Sequence, residues 1–458
     1  MQVRQGYDME KIRYEYQLMR LLEGFTTVDF VNFRDISKFS PEQFDIFVSE
    51  CVLEGKDQSM IPDGIYHCGT DKAGRKYYVD TLTGLLLFED DSAFYISKAC
   101  YTSKHHDLLD AAHLREHLLS SEEKHIKRPL FTKDDILPDL SYLGTRVDGL
   151  FTARIPEYSV STKKDFEDLV ASLVSRLSEC KLFRRIWFRG QRQEYTVHRS
   201  SETLERLGMP HEFGEMPSLL PSAARVSGND AYWAMRRMSM YWNTAFKIWM
   251  MSQVERTPSE LQIDGPLYKE LLRSVEGEKM IELLHTCPYD IVEEYIYEKD
   301  NQPMWASILA SQQYGGYTSM LDVTHDLDVA LFFTQSFLNK ETGKYELCGN
   351  SDSNVIYLIA DTRGSGTVDI SANIFADIPY DDIPPVPPRI LNQHCGLLKG
   401  ADMFSRNNYA YRIVAKIKIQ GGEIETTKTV DEMFPSIEED TLFQTYSYVE
   451  PHLSGLYG

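Results

Sequence analysis

The chain has 458 residues, of which 42% are hydrophobic and 26% charged, and its net charge is -21 with a pI near 5.0. This composition is that of an ordinary globular protein, and the length predicts about three domains. The acidic balance makes nucleic acid or an anionic membrane an unfavourable main partner. No apolar run approaches the roughly 20 residues of a membrane span, and residues 1–20 lack the apolar segment of a signal peptide. We therefore expect a cytoplasmic protein without a membrane partner.

The seven cysteines are scattered along the chain and form no CxxC pair. Such usage indicates free thiols in a reducing compartment. The histidines also lack the spacing of a metal site, so we expect no bound metal.

The N-terminal third combines helical and strand patterns but contains no catalytic motif. Apolar spacing predicts helices over 9–25 and 41–53, the second of which opens with a capping box. Three short strands separated by glycine-containing turns, at 64–68, 76–80 and 85–88, predict a tyrosine-rich β-meander.

A charged helix is predicted over about 106–127, and residues 129–155, with their prolines and glycine, are predicted to form a linker. The tyrosines of the meander form either a partner-binding surface or half of a thin core. We interpret residues 1–128 as a regulatory or partner-binding region and 156–458 as a separate domain.

A helix and a strand open this second domain. Hydrophobic spacing predicts an amphipathic helix over 161–180, and the short apolar strand at 186–191 ends on Arg189, Gly190 and Gln191. An arginine held at a strand end can bond two oxygens of an anion, and a glycine lets the backbone turn or approach a ligand closely. The alternative is a structural arginine in an ion pair beside a turn.

The densest positive run of the chain surrounds this strand end. Its members are Arg184, Arg185, Arg189, Arg192, His198 and Arg199. The run forms either a local basic cleft in an acidic protein or a solvated face.

A loop and a long helix come next. In the loop at 219–225, Pro221 removes a backbone donor and Ser222 offers a hydroxyl. A stripe of aromatic residues and methionines predicts a core helix over 229–254, inside a helical insertion at 229–313.

The stretch at 312–324 is the second candidate site segment. A helix that ends at Gln313 stops at two glycines, and a strand over 318–323 leads to Thr324, the predicted N-cap of a helix with two aspartates in its first turn. Glycines beside hydroxyls and an amide form a loop that can approach a flat or phosphate-bearing ligand.

The third segment lies at 387–398, after an apolar strand at 355–360 and a stiff proline run. An alternating segment at 409–419 is predicted to close the sheet. The mixture of helices and strands predicts an α+β fold with mixed, largely antiparallel small sheets packed with helices.

These segments together resemble the FRG family, which is named for a Phe-Arg-Gly motif. FRGQ at 188–191 is similar to its opening motif, LLPS at 219–222 to its LxPS segment, and QYGGYTSMLDVT at 313–324 to its central block. Arg389, Gln393 and Gly396 resemble its late R…QxG block, with two residues instead of one between the Gln and the Gly, and the resemblance covers about 181–420. Two positions depart from the family pattern, because Ser319 replaces an arginine and Val323 replaces a tryptophan.

The order of these motifs looks like that of ADP-ribosyltransferases, so the resemblance implies an ADP-ribosyltransferase-like core that takes NAD as substrate. Arg189 would pair a pyrophosphate or ribose oxygen, and the backbone of Gly190 would bond the nicotinamide amide. Thr318 or Ser319 would orient the ribose, and Gln393 would hold it while positive charge develops.

The resemblance thus implies catalytic roles for Arg189, Thr318 and Gln393. The residues that it implies for NAD binding are Gly190, Gln191, Ser222, Gln313, Tyr314, Ser319 and Asp322.

One element of that chemistry is missing from the motifs. Gln393 is neutral, and Glu423 and Glu425 are the nearest alternatives, close to a strand end. Without a carboxylate we expect binding, slow hydrolysis or a different acceptor chemistry.

The function hypothesis is therefore an NAD-consuming enzyme of ADP-ribosyltransferase or NAD glycohydrolase type, which suggests a bacterial toxin or phage-defence effector. One alternative is a non-catalytic module that binds a nucleotide or, less compatibly with the net charge, nucleic acid. The other is a protein-interaction protein whose motif residues hold a buried polar network.

Overall fold

A computed structural model describes much of the chain. Residues 1–63 and most of the stretch 223–309 lie outside the described part. The described residues are 64–70, 76–80, 82–83, 86–96, 102–120, 145–146, 154–222, 242, 245, 249, 310–316, 318, 320–339, 341–362, 367–370, 386–398, 407–421 and 423–447. The helices predicted over 9–25 and 41–53, together with Tyr317 and Ser319, lie outside them.

A five-stranded antiparallel sheet forms the first layer. Its strands follow chain order and are β1 (Ile65–Thr70), β2 (Lys76–Asp80), β3 (Leu86–Asp90), β4 (Ala93–Ile96) and β5 (Thr145–Arg146). The predicted meander is confirmed, and Tyr78 and Tyr95 are buried in it, the latter stacked on Phe88 at 5.3 Å. Residues 145–146, within the predicted linker 129–155, instead pair with β4 as the edge strand.

The helix between β4 and β5, α1 (Thr102–Ser120), packs against the second sheet. Leu114 and Leu118 belong to the same buried cluster as Phe188 and Ile356. The Nε and Nη2 atoms of Arg115 donate to the carbonyls of Ile413 and Tyr411. Part of the N-terminal third is therefore continuous with the core of the rest of the chain.

The second sheet is mixed and has seven strands in the order β14-β15-β10-β7-β13-β16-β6. Its strands are β6 (Glu157–Val160), β7 (Phe183–Gln191), β10 (Leu321–Thr324), β13 (Val355–Thr362), β14 (Thr367–Asp369), β15 (Cys395–Leu398) and β16 (Ile413–Ile419). All neighbours are antiparallel except β16 and β6. The α+β class is confirmed.

Shorter elements complete the fold. Two further two-stranded antiparallel sheets pair β8 (Thr196–His198) with β9 (Glu215–Pro217) and β11 (Ser336–Asn339) with β12 (Lys344–Leu347). The remaining α-helices are α2 (Lys163–Ser178), α3 (Ser201–Leu207), α4 (Leu327–Thr334), α5 (Pro388–Asn392) and α6 (Val430–Met433), and 3-10 turns lie at His211–Phe213 and Asn408–Arg412. The predicted helix at 161–180 is thus confirmed, with Thr162 as its N-cap.

Strand β7 has both faces covered, as its alternation predicts. Ile186 and Phe188 pack with Phe166 and Leu173 of α2, whereas Trp187 packs on the opposite face with Tyr357. The segment 409–419 was predicted as one alternating strand. Its first residues instead form a 3-10 turn, and β16 lies between β13 and β6 with its side chains packed into two core clusters.

Of the predicted core helix at 229–254, the structure describes Trp242, Ala245 and Trp249, which are helical and buried. Trp242 stacks on Tyr446 at 3.7 Å, and Trp249 donates to the Thr441 hydroxyl at 2.8 Å. No helix among the described ranges is both long and apolar enough to cross a bilayer.

Candidate functional site

Arg189 joins the first predicted segment to the second. Its strand β7 pairs with β10 through Phe188 and Thr324, and its Nη1 donates to the backbone carbonyl of Asp322 at 2.6 Å. The side chain is half-buried. The sheet thus brings together two segments that are more than a hundred residues apart in sequence.

Gly190 does not form the predicted turn, because β7 continues through Gln191. A Cβ at position 190 would lie 1.9 Å from the carbonyl oxygen of Ala330 in α4. The glycine therefore allows α4 to pack directly on the strand. Gln191 is buried and pairs with Val355, and no described residue hydrogen-bonds its Oε1.

The basic run does not form one surface. Arg199 makes a buried ion pair with Asp80, and Arg185 lies 3.2 Å from the Asp361 carboxylate and over the ring of Trp187. Arg184, Arg192 and His198 are exposed. The run is therefore neither one basic cleft nor one solvated face, because it is divided between buried or half-buried ion pairs and a few exposed charges.

Asp322 lies at the centre of a polar network. Its two carboxylate oxygens accept from Gln312 Nε2 and Gln313 Nε2, each at 2.6 Å. Thr318 Oγ1 donates to the Gln312 carbonyl oxygen, and Cys395 Sγ donates to that of Gln313 at 2.7 Å. Both amides are therefore fixed in orientation, because flipping either would break a bond at each end.

Ser222 and Thr318 close the loop beside this network. Ser222 Oγ accepts from the Thr318 backbone N–H at 2.9 Å and lies within 3.3 Å of the carbonyls of Gly316 and Thr318. Thr318 Oγ1 also accepts from the Met320 N–H at 3.1 Å. Gly315 has a positive φ of 87°, which a glycine adopts without strain.

Thr324 is not the N-cap that the sequence predicted. It lies in β10, and the cap of α4 is Asp326, whose side chain accepts from the backbone N–H of Asp328 at 2.8 Å and of Val329 at 3.2 Å. Thr324 instead donates from its hydroxyl to the Gln393 carbonyl at 2.8 Å. This bond connects the second segment to the third.

Gln393 ends α5 and is buried. Its Nε2 donates to the backbone carbonyl of Met433 at 2.8 Å. The side chain thus ties α5 to α6, and its neutral amide is engaged with the backbone. Glu423 and Glu425 are exposed beyond the end of β16.

Arg389 is a site residue that the sequence interpretation left without a role. Its guanidinium carbon lies 5.0 Å from the ring centre of Tyr314 and 4.5 Å from that of Phe434. Tyr345, on the β11–β12 hairpin, stacks on the Phe434 ring with the ring centres 3.9 Å apart. Arg389 was visible only as part of the late motif, whereas Tyr345 and Phe434 carried no sequence signal.

The ionisable groups here influence one another. Burial raises the pKa of the Tyr345 phenol. The positive charges of Arg389 and Arg189 lower this pKa, and the negative charge of Asp322 raises it. The charges of both guanidinium groups and of the central carboxylate therefore act on the Tyr345 phenol. Burial also lowers the pKa of Arg389, and the neighbouring phenols partly offset this effect.

Tyr314 is held by a carboxylate of the C-terminal helical segment. Its hydroxyl donates to Asp440, and its pKa is raised well above the ordinary value by burial and by that charge. Burial also raises the pKa of Asp440. The predicted NAD-binding tyrosine is thus anchored at its hydroxyl end, with its ring against Arg389.

A pair of histidines lies beside the third segment. His394, with a positive φ of 46°, places Nδ1 3.4 Å from the Asp326 carboxylate, and its ring centre lies 5.0 Å from that of His325. In the described parts of the chain, no three His, Cys, Asp or Glu side chains are grouped to hold a metal ion.

The fold and site together define an α+β protein with a polar cluster of two arginines, one carboxylate and two tyrosines where its three segments meet. Comparison with protein-family models, with curated proteins and with solved structures finds no match.

Proposed function

We propose that the protein is an NAD-consuming enzyme of the ADP-ribosyltransferase or NAD glycohydrolase type, related to the FRG family that it resembles. The observation that carries the proposal is the hydrogen bond from Arg189 to the Asp322 carbonyl, because it joins the two most specific motifs. The bond between Cys395 and Gln313 brings in the third. Residues selected only for their motif resemblance thus lie in one network.

In the proposed reaction, the bond between C1′ of the ribose and the nicotinamide nitrogen breaks, and its electron pair leaves with nicotinamide. Water or an acceptor nucleophile then bonds to C1′ and loses a proton. A nearby carboxylate stabilises the positive charge that develops on the ribose. Asp322 supplies that charge in our proposal, in the place of the glutamate that the motifs lack.

The other residues have distinct proposed roles. Arg189 bonds an anionic oxygen of the substrate, and Tyr345 lies against the ribose or nicotinamide. Thr318 and Gln393 were expected to be catalytic, but their hydrogen bonds to Gln312 and Met433 support positioning roles instead. NAD is the substrate, and the proposal needs no metal.

The biological setting remains part of the proposal. We propose a cytoplasmic enzyme, acting as a toxin or phage-defence effector, with a protein partner that engages residues 1–128. In this region α1 packs on the second sheet and shares a core cluster with β7, the strand that carries Arg189. A partner that moves α1 would therefore change the packing of that strand.

The test is incubation of the purified full-length protein with NAD while released nicotinamide is measured. We expect release by the parent, a loss of about a hundredfold or more in Arg189→Ala, and little change in Arg184→Ala. Arg184 is the matched control because it is exposed on the same strand. No release by the parent at high protein concentration would reject the enzymatic proposal.

A second candidate is a nucleotide-binding module without catalysis. It is favoured by the way Gln312, Gln313 and Asp322 satisfy one another, as a structural network would. Binding of NAD without nicotinamide release would select it. Nucleic-acid binding is less favoured, because Arg185 and Arg199 are paired with carboxylates.

A further inference from the structure

The environment of Arg389 differs from that of Arg115 and Arg199, two buried arginines whose guanidinium groups have acceptors. Arg115 donates to two backbone carbonyls, and Arg199 donates to both oxygens of Asp80. No described residue accepts a hydrogen bond from Arg389, whose Nε is fully buried. A structural arginine normally has such acceptors, since leaving a buried charged donor without one is unfavourable.

The two flanking rings leave a defined part of Arg389 available. With Tyr314 and Phe434 near its guanidinium, the charge is stabilised by the ring faces. The N–H groups point outward in the guanidinium plane, and they match two oxygens of a phosphate or carboxylate. The aromatic contacts therefore orient the group without using its hydrogen-bond donors.

Asp440, the carboxylate whose charge acts on Arg389, does not provide that acceptor. Asp440 accepts from the Tyr314 hydroxyl and from the Phe443 backbone N–H, and it forms no ion pair with Arg389. Its charge still acts on Arg389 and helps to keep the guanidinium protonated. The two Nη groups therefore remain available for an acceptor from outside the chain, whereas the buried Nε does not.

We propose that Arg389 binds a phosphate of a nucleoside diphosphate group. Arg189 is linked to this position through the central network, because it donates to the Asp322 carbonyl, Gln313 donates to the Asp322 carboxylate, and the next residue, Tyr314, has its ring against Arg389. Two cations joined by one network suit the pyrophosphate of a dinucleotide better than a single carboxylate. The identity of the nucleotide rests on the proposed function, whereas the binding of a phosphate by Arg389 does not.

The test measures binding of ADP and of adenosine to the full-length protein by calorimetry. We expect ADP to bind the parent more tightly than adenosine does, and Arg389→Gln to weaken ADP by about tenfold or more. Adenosine affinity should be unchanged by the substitution. Arg192→Gln is the matched control, because Arg192 lies over the Phe337 ring at 5.1 Å but is exposed.

Arg389→Lys provides a second variant that keeps the charge and loses the planar fork, and it should also bind ADP more weakly. If neither variant folds, the parent alone decides. Equal affinity for ADP and adenosine would mean that no phosphate is recognised and would overturn the inference. Unchanged ADP affinity in a folded Arg389→Gln protein would also overturn it.

The two proposals fail in different ways. Binding of ADP that depends on Arg389, without nicotinamide release from NAD, would support this inference and reject the enzyme. Nicotinamide release with an unchanged KM for NAD in Arg389→Gln would support the enzyme and reject this inference.

Discussion

Arg199 donates from Nη1 and Nη2 to the two carboxylate oxygens of Asp80, at 3.0 and 2.7 Å, and both side chains are fully buried. Asp80 ends β2, and Arg199 follows β8, 119 residues later. Asp80 also accepts from the Leu82 N–H and the Thr83 hydroxyl. The pair therefore fixes the first sheet to the body that carries the site.

We expect Arg199→Met to lower the free energy of unfolding by about 3–5 kcal/mol, because it leaves the Asp80 charge buried and unpaired by its main partner. Chemical denaturation monitored by fluorescence measures this change. Glu432→Gln is the control, since the Glu432 side chain is exposed and its i,i+4 pair with Lys428 should contribute about 0.5 kcal/mol or less. The Asp80→Leu/Arg199→Met double variant should lose less than the sum of the two single losses, and strict additivity would contradict the account.

Gly190→Ala should be strongly destabilising because the added Cβ would lie 1.9 Å from the Ala330 carbonyl. To relieve this clash α4 must move away from β7, which should lower the free energy of unfolding by about 1–3 kcal/mol or more. Gly349→Ala is the comparison, since a Cβ there meets no atom within 4 Å and only the positive φ of 72° is strained. Equal melting temperatures for the two variants would contradict the packing role.

Asp322→Asn should disrupt the central network, because an Asn amide offers only one acceptor to the two Gln donors. Neither Gln can reorient without losing its bond to Thr318 or Cys395. We expect a loss of about 1–3 kcal/mol in the free energy of unfolding. Asp352→Asn, at an exposed position, should change it little. If the proposed chemistry is right, Asp322→Asn also lowers kcat for nicotinamide release more than it changes KM.

The pH dependence of stability offers a test with two opposite signs. Burial raises the pKa of Asp440 above 3.8, so this carboxyl favours folding below that value and loses its contribution as pH rises through the folded pKa. Although burial alone would raise the pKa of Glu157, its contacts with Lys416 and Lys418 lower it below 4.5. Glu157 thus stabilises above its ordinary value and loses this contribution as pH falls.

Denaturation of the parent, Asp440→Asn and Glu157→Gln between about pH 3 and pH 7 measures both effects. Relative to Asp440→Asn, the parent should lose stability as pH rises. Relative to Glu157→Gln, the parent should gain stability as pH rises. Parallel curves for all three proteins would show that neither carboxyl is linked to folding.

Local pattern predicted much of the secondary structure. The spacing of α2, the alternation of β7 and the meander strands follow from periodicity, and each agrees with the structure. Thr324 and Asp326 are both good N-cap residues, and the sequence could not choose between them. Pairing of Thr324 with Phe188 on one side and Cys395 on the other holds it in β10, which leaves the cap to Asp326.

The site was only partly predictable for a related reason. Motif order identified Arg189, Gln313 and Asp322, and the sheet brings them together. The environment of Arg389 depends on Tyr314 and Phe434, which are far apart in sequence and carry no shared pattern. Gly190 was expected to serve a turn, yet the absence of its Cβ serves helix packing instead.

The central claim is that segments distant in sequence form one nucleotide site. Hydrogen–deuterium exchange of the full-length protein at saturating NAD tests it most directly, in peptides covering 310–316, 341–347 and 386–398. We predict slower exchange in all three regions and little change in the exposed turn around 349–353. Unchanged exchange in the three regions, or protection confined to another part of the chain, would contradict the account.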